Sequence, residues 1–229
     1  MSFVHSPKIV TDGLVLALDA GNTKSYPGSG TTWFDKSGNA RNGTLTNGPT
    51  FSSANGGSIV FDGTNDYVDF GTSFNNVTTQ LTINCWGRIN GTPNDGIFIT
   101  KGEFNGTQSS NFGFQIRSSN ALRFYISPSA SAYVIVDSSN NMWDNNINNY
   151  TVTFNSGTVI FYKNGNPFSS GSLGVSSLPS SVGPLYVGWL KGYSAYYPGN
   201  IYTTQVYNRT LSASEIQQNF NALRGRYRI

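Results

Sequence analysis

The sequence predicts an all-β fold: two packed antiparallel sheets closed by one short C-terminal helix. Three observations carry that prediction. Its 229 residues include 26 glycines and 14% aromatic but only 11% charged side chains, a balance that suits one large β domain with many tight turns. Short apolar or alternating runs recur along the chain, separated by turn chemistry rich in Asn, Gly and Ser. One segment breaks that rhythm. Ser212 and Glu215 have the spacing of a capping box, in which each side chain satisfies a backbone N–H left open at a helix start.

Leu14, Val15, Leu16, Ala17 and Leu18 form an apolar run fit for a strand buried on both sides. Residues 21–57, rich in Gly, Asn, Ser and Thr, read as long loops with little regular structure, and loops of that length usually carry function or contacts. Residues 62–66, Asp-Gly-Thr-Asn-Asp, read as a hairpin turn whose Asp and Asn side chains bond their own backbone. Leu81, Ile83 and Cys85 alternate with Thr82, Asn84 and Trp86, and Phe112, Phe114 and Ile116 with Gly113, Gln115 and Arg117. Each pattern has the period of a strand with one core face. Residues 122–126 and 133–136 continue the series, and residues 155–157 and 163–166 mark hairpins by supplying residues that tolerate positive φ.

Residues 189–198 form an aromatic loop between two strands, and 199–207 the last strand. After Ser212, Ile216, Phe220 and Leu223 recur at i, i+4 and i+7, so the helix must lay one face on an apolar surface. No linker or repeat divides the chain. The expected organisation is an N-terminal arm (1–12), one sandwich domain (13–223) and a basic tail (224–229) carrying Arg224, Arg226 and Arg228. A chain this long buries roughly 70% of its unfolded surface and needs no disulfide. The single cysteine, Cys85, reads as a small core residue.

The inventory of chemical groups argues against catalysis. A retaining glycosidase needs two carboxylates close together across the scissile bond, yet the only glutamates are Glu103, on a predicted loop, and Glu215, in the capping box. His5 is the sole histidine, in the N-terminal arm, so neither a nucleophile–base pair nor a zinc site has support. The net charge of +3 is scattered outside the C-terminal arginines, unlike the clustered basic face of a nucleic-acid binder. No apolar run reaches the ~18–20 residues a membrane helix requires. The first seven residues lack the regions of a signal peptide, so no Sec-type export is expected. Trp189, Tyr193, Tyr196 and Tyr197 supply aromatic area beside polar groups, as a sugar or a partner protein would require, and the sequence leaves those two readings open.

Several segments, taken in order, carry a family likeness. Residues 33–44 read W-F-D-K-S-G-N-A-R-N-G-T, 58–68 S-I-V-F-D-G-T-N-D-Y-V, 81–86 L-T-I-N-C-W, 159–165 V-I-F-Y-K-N-G, and 199–216 G-N-I-Y-T-T-Q-V-Y-N-R-T-L-S-A-S-E-I. Together they resemble the laminin-G-like domains of the concanavalin A-like lectin/glucanase jelly rolls. That resemblance implies a jelly-roll sandwich. It also implies a calcium ion at the sandwich rim, with Asp62, Asn65 and Asp66 as candidate ligands in competition with the plain turn. Where family members commonly carry Asp-Glu this chain has Tyr202 and Thr203, so no role tied to that acidic pair transfers.

Residues 12–22 and 218–227 are similar to virion proteins of tailed phages. The resemblance implies a non-enzymatic structural or display protein, made in the host cytoplasm and placed on the capsid as decoration or on neck, tail or fibre. Its partners would be virion subunits, a host-surface glycan bound in an adhesion role, and further copies of itself, with no nucleic acid and no membrane insertion. The alternative is a purely structural cement that binds only neighbouring subunits. A glycan-cleaving enzyme ranks below both.

Overall fold

The computed structural model describes residues 7–229 apart from 73, 75–77, 92–94, 104–110, 130, 131, 140, 141 and 181. His5 therefore lies outside the described residues. The chain opens with β1 (Leu14–Asp19), passes through the short strands β2 (Thr32–Trp33), β3 (Gly43–Thr46) and β4 (Thr50–Ser52), and continues with β5 (Ser58–Asp62) and β6 (Tyr67–Asp69). Next come β7 (Gln80–Ile89), β8 (Gly96–Lys101), β9 (Phe112–Ile116), β10 (Leu122–Ser129) and β11 (Ala132–Asp137). A meander of β12 (Asn148–Asn155), β13 (Thr158–Lys163) and β14 (Asn166–Ser172) precedes β15 (Leu185–Val187). The strands β16 (Trp189–Leu190) and β17 (Ala195–Tyr196) pair with each other, and β18 (Pro198–Tyr207) runs into α1 (Ala213–Tyr227).

Two eight-stranded antiparallel sheets pack face to face. The first has the order β14-β13-β12-β7-β18-β5-β4, with β1 also paired to β18; the second has the order β11-β10-β9-β8-β15-β6-β3-β2. Their inner faces supply one core, with Leu81, Ile83 and Cys85 facing Phe98, Phe114 and Phe124 from the other sheet. The 62–66 turn is not a hairpin as the sequence suggests: β5 and β6 belong to different sheets, so the turn carries the chain across the sandwich. The hairpins at 155–157 and 163–166 form as expected, with Ser156, Gly157, Asn164 and Gly165 all at positive φ.

Residues 21–57 are more ordered than the sequence suggests, since β2, β3 and β4 lie within them. Asp35 organises this segment. Its carboxylate accepts from the N–H groups of Ala17 at 2.9 Å, Ser37 at 2.8 Å and Arg41 at 3.1 Å, and from the Ser37 hydroxyl at 2.7 Å.

The expectation of one core face per strand also needs correction, because β7 and β9 are buried on both faces. Helix α1 covers the outer face of the first sheet. Its Phe220 stacks on Trp86 at 5.5 Å and 4°, and Tyr227 lies 4.6 Å from the same indole. The capping box is present: the N–H of Glu215 donates to the Ser212 hydroxyl at 3.3 Å and the N–H of Ser212 to the Glu215 carboxylate at 2.8 Å. The helix runs on to Tyr227, through what the sequence sets apart as a basic tail, and Arg226 pairs with Asp19 at 2.6 Å. The described part of the N-terminal arm is tied down as well. Val10 donates its N–H to Asn219 Oδ1 at 2.8 Å and accepts from the Tyr207 hydroxyl at 3.0 Å.

Candidate functional site

The hairpin of residues 189–196 covers part of the outer face of the second sheet. Leu190 and Ala195 pack on Ile97 and Tyr125, and Thr100 donates its hydroxyl to the Trp189 carbonyl at 2.8 Å. The four aromatic residues read from the sequence fall into three different settings here. Trp189 stacks on Tyr196 at 5.8 Å and 3°, tilts against Tyr67 at 4.6 Å and Tyr186 at 5.1 Å, and donates its indole N–H to the Tyr193 carbonyl at 3.1 Å. These two rings, half-buried, anchor the hairpin to the sheet. Tyr197 is fully buried between Phe61 and Phe98 in the main core, so it offers no face to a ligand. Tyr193, at the hairpin tip, is 50% exposed.

Beside Tyr193 the hairpin leaves a cleft of about 410 Å³ over β9, β10 and β11, within the range of ~300–1,000 Å³ common for ligand sites. Tyr125 forms its floor. The ring lies across Gly113, where an added Cβ would stand 2.0 Å from Tyr125 Cζ, so glycine is what lets the ring lie flat on the sheet. The Tyr125 hydroxyl is buried without a hydrogen-bond partner, and that desolvation pushes its pKa well up. Tyr133 meets the Tyr125 ring edge-on at 5.6 Å. Tyr133, Ile135 and Tyr193 are three of the six large hydrophobic residues exposed among those described, and all three line this cleft.

Its polar groups are Gln115, Arg117, Arg123 and Asp95. Arg117 pairs with Asp95, and Arg123 grips Asp137 through Nε and Nη2, each at 2.6 Å. Flat apolar faces beside donors and acceptors in one shallow cleft can stack on a ring and bond its hydroxyls.

Sequence reading singled out Tyr193 but missed Gln115, Tyr125 and Tyr133. The available signal was the alternation of β10 and β11, which turns Arg123 and Tyr125, and opposite them Ile135 and Asp137, to the outer face in register. An aromatic and an aliphatic side chain on a supposedly solvated face mark a surface with a purpose.

The candidate calcium ligands form a turn. Asp62 Oδ1 accepts from the N–H groups of Thr64 at 2.8 Å, Asn65 at 3.2 Å and Asp66 at 3.4 Å, while Asp66 Oδ2 accepts from the Asp62 N–H at 3.0 Å. Burial alone would raise the Asp62 carboxyl, but these N–H groups bring it below its ordinary value; burial does raise Asp66. The Asn65 side chain is exposed. Among the described residues no group of three His, Cys, Asp or Glu side chains converges in a way that would hold a metal ion. Tyr202 and Thr203 are buried beneath α1, where Tyr202 meets Tyr227 edge-on at 5.1 Å.

Comparison with known proteins agrees with the architecture. Residues 62–217 match the family described as the concanavalin A-like lectin/glucanases superfamily. Domain 4 of AbnA, an extracellular arabinanase from Geobacillus stearothermophilus solved with arabinotriose, superposes with a TM-score of 0.67 at 14% identity, covering 90% of this chain and 97% of that one. The binding domain of Paraclostridial Mosquitocidal Protein 1 gives 0.69 at 15% identity, over 93% of this chain and 52% of that one. Trypanosoma rangeli sialidase gives 0.65 at 16% identity, over 92% of this chain, which spans only 33% of the sialidase chain. At such identities the likeness is one of fold. No curated protein sequence matches the chain.

Proposed function

The chain belongs to the concanavalin A-like lectin/glucanases superfamily, and on that premise we propose that it is a non-enzymatic carbohydrate-binding protein, displayed on a virion, that adheres to glycans through the cleft beside Tyr193. One observation carries the reading: three exposed apolar side chains, Tyr133, Ile135 and Tyr193, converge on a cleft that also presents Gln115 and two arginines. The arabinotriose held by AbnA domain 4 shows that this fold accommodates a short glycan elsewhere. A binding role is favoured over a cleaving one because Asp95, which Arg117 engages, is the one carboxylate among the residues that line the cleft, whereas a retaining glycosidase needs two facing each other across the scissile bond. The virion setting rests on the resemblance of residues 12–22 and 218–227 to tailed-phage proteins. On a particle, many copies would turn weak single-site affinity into avidity.

Glycan-array screening followed by calorimetry tests the reading. Tyr193→Ala and Tyr133→Ala are expected to weaken the bound glycan roughly tenfold each, about 1.4 kcal/mol. Unchanged affinity in both variants would remove the cleft from consideration. The cement reading draws on the same patch, since Tyr and other large apolar side chains are also enriched at protein contacts. Cryo-electron microscopy of the particle separates the two: a cleft open to solvent supports adhesion, a cleft sealed by a neighbouring subunit supports cement, and absence from particles removes the virion setting.

A further inference from the structure

The charge arrangement around the cleft points to its ligand class: we propose that it takes neutral oligosaccharides and rejects those bearing carboxylates. The inference rests on the glycan-binding reading above. All 14 Lys and Arg and all 11 Asp and Glu lie within the described residues, so the count of formal side-chain charge near the cleft is complete. Arg117 is paired with Asp95, whose second oxygen also accepts the Ser118 N–H at 3.1 Å. Arg123 is paired with Asp137 through two bonds of 2.6 Å. On the hairpin itself, Lys191 is paired with Glu103. Three cations thus meet three anions.

For an acidic sugar this is a poor surface. Its carboxylate would have to displace the half-buried Asp95 or the exposed Asp137 from charge-assisted bonds already made with an arginine, or approach beside two fixed negative charges. A sugar hydroxyl faces neither cost, because it donates and accepts at once. The guanidinium N–H groups not used by Asp137, the spare lone pairs of both carboxylates and the Gln115 amide match that dual character. Tyr133 and Tyr193 then supply flat apolar area for the C–H face of the ring.

The test is calorimetric titration of the full chain with neutral probes (arabinotriose, cellotetraose, maltotetraose and N-acetylchitotriose) and acidic ones (trigalacturonate and 3′-sialyllactose). The wild type, Tyr193→Ala and Asp137→Asn are compared, with thermal melts confirming that each variant is folded. At least one neutral probe is expected to bind the wild type, lose affinity in Tyr193→Ala, and exceed both acidic probes by roughly tenfold or more. Asp137→Asn, by releasing Arg123, is expected to bring an acidic probe up by roughly tenfold. Asp95→Asn is the second variant, predicted to act in the same direction through Arg117. Acidic probes binding the wild type as well as neutral ones, or gaining nothing in either Asp→Asn variant, would overturn the charge argument while leaving glycan binding in place. Binding of no probe, or binding indifferent to Tyr193→Ala, would overturn the glycan reading and the inference with it.

Discussion

Gly113→Ala sets two physical effects against each other, and the geometry decides the sign. Gly113 lies in β9 and its φ is not positive, so the backbone accepts an L side chain without strain. In open space the added methyl would stabilise the fold by about 0.4–1 kcal/mol, because it narrows the unfolded ensemble. The space is not open. The new Cβ would stand 2.0, 2.2 and 2.3 Å from Cζ, Cε1 and the hydroxyl oxygen of Tyr125, against an ordinary contact of about 3.5–4.0 Å. The ring must retreat by roughly 1.5 Å to restore that contact, and Ile97, Leu190, Ala195 and the edge of Tyr133 close the way out. Overpacking of this kind costs about 1–3 kcal/mol. The expected net effect is a loss of roughly 1–2 kcal/mol, read as a fall in Tm of about 2–8 °C for a domain of this size. Thermal and urea unfolding followed by circular dichroism measure it, and glycan affinity should fall with it because the cleft floor has moved. A Tm equal to or above that of the wild type would refute the reasoning, since it would mean that Tyr125 does not lie where the cleft requires it.

Two further predictions concern the rest of the fold. The Arg209 guanidinium, with the Ser212 N–H and hydroxyl, lowers the Glu215 carboxyl from 4.5 to about 2. A carboxyl depressed in the folded state contributes stability that is full above its unfolded pKa and is lost as pH falls towards its folded one. Stability should therefore decline between about pH 4.5 and pH 2, less steeply in Glu215→Gln, with equal slopes in the two proteins counting against the assignment. Burial pushes the Cys85 thiol up to about 12, so a thiol reagent at about pH 8 should leave the native protein unmodified and react in urea; rapid modification of the native protein would contradict its position in the core.

What the sequence disclosed follows physical range. The strands around Leu81, Phe112 and Leu122 and the capped helix were legible because alternation and capping are local signals. The second burial of β7 was not, because Thr82 and Asn84 look solvated; only Trp86 hinted that a neighbour would cover that face. The strands within 21–57 escaped notice because β2, β3 and β4 are two to four residues long, and the side chain that orders the region, Asp35, acts through bonds that no pattern announces. Tyr193 was legible as an exposed aromatic in a turn. Gln115, Tyr125 and Tyr133 were not, since strand pairing rather than sequence proximity brings them beneath it.

The two outer faces explain why the site lies where it does. Both sheets carry large side chains outward, and each face is covered by a different device. On the first sheet the 15-residue helix lays Ile216, Phe220, Leu223 and Tyr227 along the strands and closes over Trp86 and Tyr202. On the second the cover is a hairpin with strands of only two residues each, too small to span β9, β10 and β11. It seals Ile97 and Tyr125 with Leu190 and Ala195 and stops, leaving Tyr133 and Ile135 exposed beyond its edge. A helix in its place would give a closed, inert face; the short hairpin leaves a cleft walled by its own tip residue, Tyr193. Lengthening the hairpin across β11 is therefore expected to abolish glycan binding while preserving or raising Tm, with retained binding in a folded variant counting against the cleft.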